Sequence, residues 1–164
     1  MTLGMSLSTF TIFHVALSLI GIGSGLIVLF GLIAGRLYSL LTGVFLLTTV
    51  ATSVTGFLFP FHGITPAIKL GVLSCIALAI ALAALYLFHL AGAWRKTFVI
   101  SACLSLYFNV FVLIVQLFRK VPAIHALAPT QTEPPFKLAQ LVTLVAFVVL
   151  TVLAYHPPAR VPPR

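Results

Sequence analysis

Histidine is the residue type in this sequence with the most chemistry to offer. A neutral imidazole presents a nitrogen lone pair near physiological pH and is a good ligand for haem iron, copper or zinc. Histidines stand at positions 14, 62, 89, 125 and 156. The only acidic residue, Glu133, follows His125 closely enough to hydrogen-bond a ring nitrogen and fix its tautomer, to ligate a cation, or to cap or ion-pair with Lys137. Two carboxamides, Asn109 and Gln116, lie in an apolar run, where an amide must find a partner. The candidate site is therefore His14, His62 and His125 as ligands of haem b or a metal ion, with Asn109, Gln116 and Glu133 around them. No motif fixes this choice: the sequence has no C-x-x-C-H, no H-E-x-x-H and no pair of histidines at i, i+4.

The elements that must position these residues are membrane-spanning helices. The 164-residue chain is 62% hydrophobic and 6% charged, with mean hydropathy +1.26, far from the roughly 25% charge of a soluble domain. A net charge of +8 would suggest nucleic acid in a soluble protein. Here the cations separate apolar segments, and anionic lipid headgroups are the simpler counter-charge, so no nucleic-acid partner is expected.

No charge occurs from Met1 to Gly35, or between Arg36 and Lys69, Lys69 and Arg95, Lys96 and Arg119, or Lys137 and Arg160. Each gap can hold the roughly 20 residues needed to cross about 30 Å of hydrocarbon. The expected fold is an all-α bundle of five transmembrane helices in one domain, at about 10–35, 39–59, 66–92, 97–118 and 136–155, with 119–135 forming an extramembrane cap. Gly35, Pro60, Pro66, Pro134 and Pro135 stand at the expected ends. The first span lacks the positive n-region of a signal peptide and is expected to be retained.

Helix order sorts the histidines by depth. With the N terminus outside, His14, His62 and His125 converge at the outer side and Gln116 lies near the depth of His14, while His89 and His156 form a possible inner pair. That orientation places Arg95 and Lys96 in a tight cytoplasmic loop. The stretches "HVALSLIGIGSGLIVLFGLIAG" (14–35) and "TTVATSVTGFLFPF" (48–61) resemble small bacterial multi-pass proteins. The resemblance implies a bacterial cytoplasmic membrane and carries no function with it.

In lipid, helices associate through small residues and interhelical hydrogen bonds. His14, Ser18, Gly21 and Gly25 share one face of the first helix, and Gly31 with Gly35 repeats the small-residue spacing. On the fourth, Ser101, Ser105, Asn109 and Gln116 form a polar stripe that should face the bundle. Cys75 and Cys103 differ in depth and are expected to pack rather than pair. There is no nucleotide loop, nucleophile elbow or membrane-embedded carboxylate. Two readings follow: a small redox or metal-binding membrane protein, or a non-catalytic accessory subunit packed against a membrane complex or a second copy of itself. A quinone or lipid pocket beside the polar stripe fits either.

Overall fold

The computed structural model describes residue 4, residues 6–60 and residues 66–157. The chain forms α1 (Leu7–Ile33), α2 (Ser39–Gly56), α3 (Pro66–Leu82) running straight into a π-helical turn (Ala83–Leu87), α4 (Ala93–Lys120), a one-turn α5 (Pro122–His125) and α6 (Pro134–Tyr155). All but α5 are long and apolar enough to cross a bilayer, α3 counted with its π turn. The protein is an all-α integral membrane bundle with five spanning helices among the described residues.

Local chemistry sets the helix ends. The Ser6 hydroxyl accepts from the Thr9 amide at 3.1 Å and starts α1. Gly35 ends it at φ +70°, a conformation that glycine adopts without a Cβ penalty. The Arg36 amide then reaches the Gly31 carbonyl at 2.7 Å and the Gly35 amide reaches Leu32 at 3.1 Å, which is the paired bonding of a Schellman cap. Gly35 is thus the helix stop expected of it. Pro134 and Pro135 occupy the first turn of α6, where their missing amide donors are not needed. The 119–135 segment is less loop-like than expected, because α4 runs on to Lys120 and Pro122 opens the single turn of α5.

The third span also stops short of residue 92. After the π turn, His89 and Leu90 take φ values of +48° and +58°, and the Leu90 amide reaches back to Ala84 at 2.9 Å. The Phe88 ring stacks on Trp94 at 3.7 Å between centroids and 2° between planes, holding the reversal closed. His89, expected inside the helix, instead lies in this turn.

α4 is the central helix: it touches α1, α2, α3 and α6, while α1, α2 and α3 pack in sequence and α6 closes on α1 and α4. Small residues make the close contacts. A Cβ on Gly25 would lie 2.7 Å from a Leu106 methyl and 2.8 Å from the Phe45 ring, and one on Gly31 would lie 2.7 Å from the Tyr38 ring. Most hydroxyls do not bridge helices. Ser24, Thr48, Thr55, Ser101, Ser105, Thr143 and Thr151 donate to the carbonyl four residues back. Bonds between spanning helices include those of His14 with Thr55, Ser53 with Ser74, Cys103 with Thr151, and Gln140 with the Phe111 carbonyl.

Candidate functional site

The end of the bundle carrying the start of α1 and the 121–133 segment, here the N-terminal end, holds most of the expected site. His14 projects from α1 towards α2, where its Nδ1 lies 2.8 Å from the Thr55 hydroxyl. The same hydroxyl lies 2.7 Å from the Ala51 carbonyl. When it donates to that carbonyl its oxygen accepts from Nδ1 of His14, which is the tautomer in which Nε2 keeps its lone pair. Phe59 meets the imidazole edge-on at 5.1 Å and 87°, and Phe10 packs on Phe59 at 4.9 Å. The ring is held at one nitrogen and clamped by an aromatic wall.

His125 repeats the arrangement. Its Nδ1 lies 2.9 Å from the Phe118 carbonyl, which can only accept, so its Nε2 is also unprotonated in the neutral ring. The bond folds α5 back onto the end of α4. His62 lies outside the described residues.

Gln116 is half-buried on α4, and its amide makes no hydrogen bond among the described residues. Lys120 lies one turn further along the same face. Asn109 does not share this level. It lies two turns deeper, roughly 10 Å along the axis, where its Nδ2 comes within 3.5 Å of the Cβ position of Gly21. Thr49 presents its Oγ1 3.0 Å from that same position. Both atoms are buried without a partner among the described residues, and so are the Thr42 and Thr52 hydroxyl oxygens. The polar stripe of α4 is thus two layers: Gln116 and Lys120 towards the C-terminal end of the helix, and Asn109 against α1 and α2 in mid-bundle.

Glu133 stands at the N-cap position of α6, yet its carboxylate bonds no amide of that helix. One oxygen accepts from the Thr130 amide at 3.0 Å and its hydroxyl at 2.9 Å, and the other accepts from the Thr132 amide at 2.9 Å. Desolvation opposes ionisation, but these donors outweigh it and hold the carboxyl below its usual range. The acid closes the 130–133 turn instead of capping α6 or orienting His125. Gln131, at φ +60°, then pins that turn to α4 by donating to the Val115 carbonyl at 2.9 Å.

Sequence reasoning missed Gln131, Gln140 and the link between Thr55 and His14. Counting outward along both helices from the 34–38 connection would have set Thr55 opposite His14. Gln131 had no comparable signal. At the opposite end, His89 sits in the strained turn and His156 follows α6 with its ring against Tyr155. Both thiols are free, Cys103 in the core and Cys75 half-buried. Among the described residues no three His, Cys, Asp or Glu side chains come together as a metal cage.

No family model, curated protein or solved structure matches this chain.

Proposed function

We propose that this protein is a small membrane-embedded redox component that holds haem through His14 at the N-terminal end of the bundle. The observation that carries this reading is the bonding of His14: Nδ1 lies 2.8 Å from the Thr55 hydroxyl, which fixes the ring and leaves Nε2 as the nitrogen with no hydrogen-bond partner among the described residues. A ligating histidine commonly has its second nitrogen fixed in this way, which sets ring orientation and raises basicity. A structural zinc ion needs about four protein ligands, and the described residues do not assemble three. Haem iron needs one or two, because the porphyrin supplies the rest. His62 or His125 would be the second axial ligand. Gln116 would supply a polar group at about the depth of the ring, whereas Asn109 and Glu133 act at a distance through packing and the 130–133 turn. In the orientation we favour, this end is outside and the C terminus cytoplasmic, in a bacterial cytoplasmic membrane. The Arg95 and Lys96 pair at the opposite end supports it.

Absorbance in the Soret region and metal analysis, on protein extracted gently from its native membrane, test the proposal. The reading expects one haem per chain, its loss in His14→Ala and in one of His62→Ala or His125→Ala, and retention in Glu133→Gln. Thr55→Val should weaken cofactor affinity about 10- to 100-fold.

One observation favours a second reading, that of a non-catalytic accessory subunit. α6 buries only Phe147 and Ala154 and turns Leu138, Leu141, Val145, Val148 and Val152 outward, a face that a larger membrane complex or another copy of the chain would cover. Protein that carries neither haem nor stoichiometric metal would replace the first reading with this one.

A further inference from the structure

The threonines of α2 behave in two ways. Thr48 and Thr55 donate to carbonyls of their own helix, as hydroxyls in membrane helices commonly do. Thr49 and Thr52 are 0% and 7% exposed, and their hydroxyl oxygens have no hydrogen-bond partner among the described residues. The amide nitrogen of Asn109, a residue 9% exposed, is in the same condition. Thr49 Oγ1 and Asn109 Nδ2 lie 3.0 and 3.5 Å from one point, the position that a Cβ would take on Gly21. Two buried polar groups from different helices are thus aimed at one place on the small-residue face of α1.

Register carries the polar groups outward from there. The His14–Thr55 bond and the approach of Thr49 to Gly21 fix α1 antiparallel to α2, which sets Ser18 level with Thr52. Ser18 is half-buried and makes no hydrogen bond among the described residues. From His14 to the level of Asn109 the row is roughly 10 Å long, with polar side chains at each turn. It stops abruptly below Gly21. The space at Gly25 is filled by the Phe45 ring and a Leu106 methyl, and the cavity of about 10 Å³ beside it is lined by apolar groups and Cys103. The row is therefore open towards the N-terminal end and sealed in mid-bundle.

We infer that this row binds water: a short file enters beside His14, passes Ser18 and Thr52, and ends on Thr49 and Asn109 above Gly25. A buried polar group left unbonded destabilises the fold, and a buried water typically makes about three hydrogen bonds to such groups. Hydroxyls and a carboxamide offer donors and acceptors together, which suits water. They suit other occupants less well. No carboxylate lies within the row to neutralise a cation, and an acyl chain would leave every one of these groups unbonded. The file gives protons from bulk water a route to mid-bundle from one side, and it stands whether or not His14 holds a haem.

Asn109 is the only asparagine, so protein labelled with nitrogen-15 at the asparagine side chain carries one reporter, at the closed end of the row. In phosphatidylcholine vesicles, magic-angle-spinning NMR measures how fast proton polarisation passes from water to that amide. The backbone amide of Cys103, beside the apolar cavity and labelled alone in Cys75→Ser, is the dry reference. Transfer to Asn109 should be several-fold faster than transfer to Cys103. Ser18→Leu, which blocks the row at the level of Thr52, should remove that difference, and Thr52→Val, which keeps the shape and deletes one hydroxyl, should narrow it. Asn109→Leu displaces the amide and its water together, so the stability of that variant does not report on the file. Transfer to Asn109 no faster than to Cys103 would overturn the inference, as would transfer unchanged in both variants. Polarisation arriving from lipid protons instead of water, or an Asn109 signal that shifts with sodium or potassium, would overturn it in favour of a lipid or a cation. Because Thr52→Val leaves the packing in place, misfolding of Ser18→Leu alone would not obscure the outcome.

Discussion

Gly21 and Gly25 lie one turn apart on α1 and face the same two neighbours, α2 and α4, yet they meet opposite chemistry. Gly25 receives the Phe45 ring and a Leu106 methyl, and it borders a cavity of about 10 Å³, too small for comfortable water. Gly21 receives the hydroxyls of Thr48 and Thr49 and the amide of Asn109. Thr48 satisfies itself on the Val44 carbonyl, whereas Thr49 Oγ1 and Asn109 Nδ2 are left without partners among the described residues. The comparison teaches that small residues in a membrane bundle do two separable jobs. At Gly25 the missing side chain lets apolar groups interlock; at Gly21 it admits polar atoms whose hydrogen-bonding capacity is unspent.

The sharpest way to break this contrast is to add one methyl at each position. Gly25→Ala forces Leu106 and Phe45 to move, and overpacking of this kind costs about 1–3 kcal/mol. Gly21→Ala meets Thr49 and Thr48 at 3.0 and 3.2 Å, a milder approach that the gain in helix propensity of about 1 kcal/mol largely offsets. Thermal unfolding of both variants in one detergent measures the difference. Equal losses would show that the two contacts are packed alike.

A smaller effect of opposite sign is expected at the polar layer. Asn109→Leu removes a buried donor that has no partner among the described residues and substitutes an apolar group of similar size, so the bundle should gain about 1 kcal/mol. A loss of stability would mean that Asn109 is bonded in the membrane, either to a neighbouring side chain or to a bound molecule.

The smallest effect lies outside the spans, where Glu133 is everything that the Gly21 layer is not: ionised, only half-buried and well partnered. Its carboxyl titrates below its ordinary value of 4.5 in the folded chain. The ionised form therefore stabilises the 130–133 turn above that value, and the contribution is lost as pH falls through the depressed folded value. Amide exchange at Thr130 and Thr132, corrected for intrinsic rates, should accelerate over that acidic range and be fast at neutral pH in Glu133→Gln. Protection that stays flat with pH would show that Gln131 and the α6 prolines hold the turn without the acid.

Much of the fold was legible because charge is so costly in hydrocarbon that nine cations and one acid had to mark the ends of the spans. The helix lengths, the termination at Gly35 and the start of α6 at Pro134 follow from that constraint and from backbone chemistry acting over a few residues. The early end of α3 was not legible, since nothing in "ALAALYLFHLAG" distinguishes an α-helical turn from the π turn at Ala83–Leu87. The depth of each histidine along its helix could be counted, because rise per residue is fixed. What each ring bonds to could not.

Composition and spacing alone determined that this chain is a membrane bundle, how many times the described chain crosses, and which polar residues must turn inward. Only the tertiary structure decided that Nδ1 of His14 pairs with the Thr55 hydroxyl, that Ser101 and Ser105 satisfy themselves while the Asn109 amide nitrogen has no partner among the described residues, and that Glu133 closes its own loop. The reason is physical. Burial and length depend on summed transfer energies, which a sequence states residue by residue, whereas a hydrogen bond depends on two atoms from distant segments meeting within about 3 Å, and that meeting is set by helix rotation and packing that no single segment encodes.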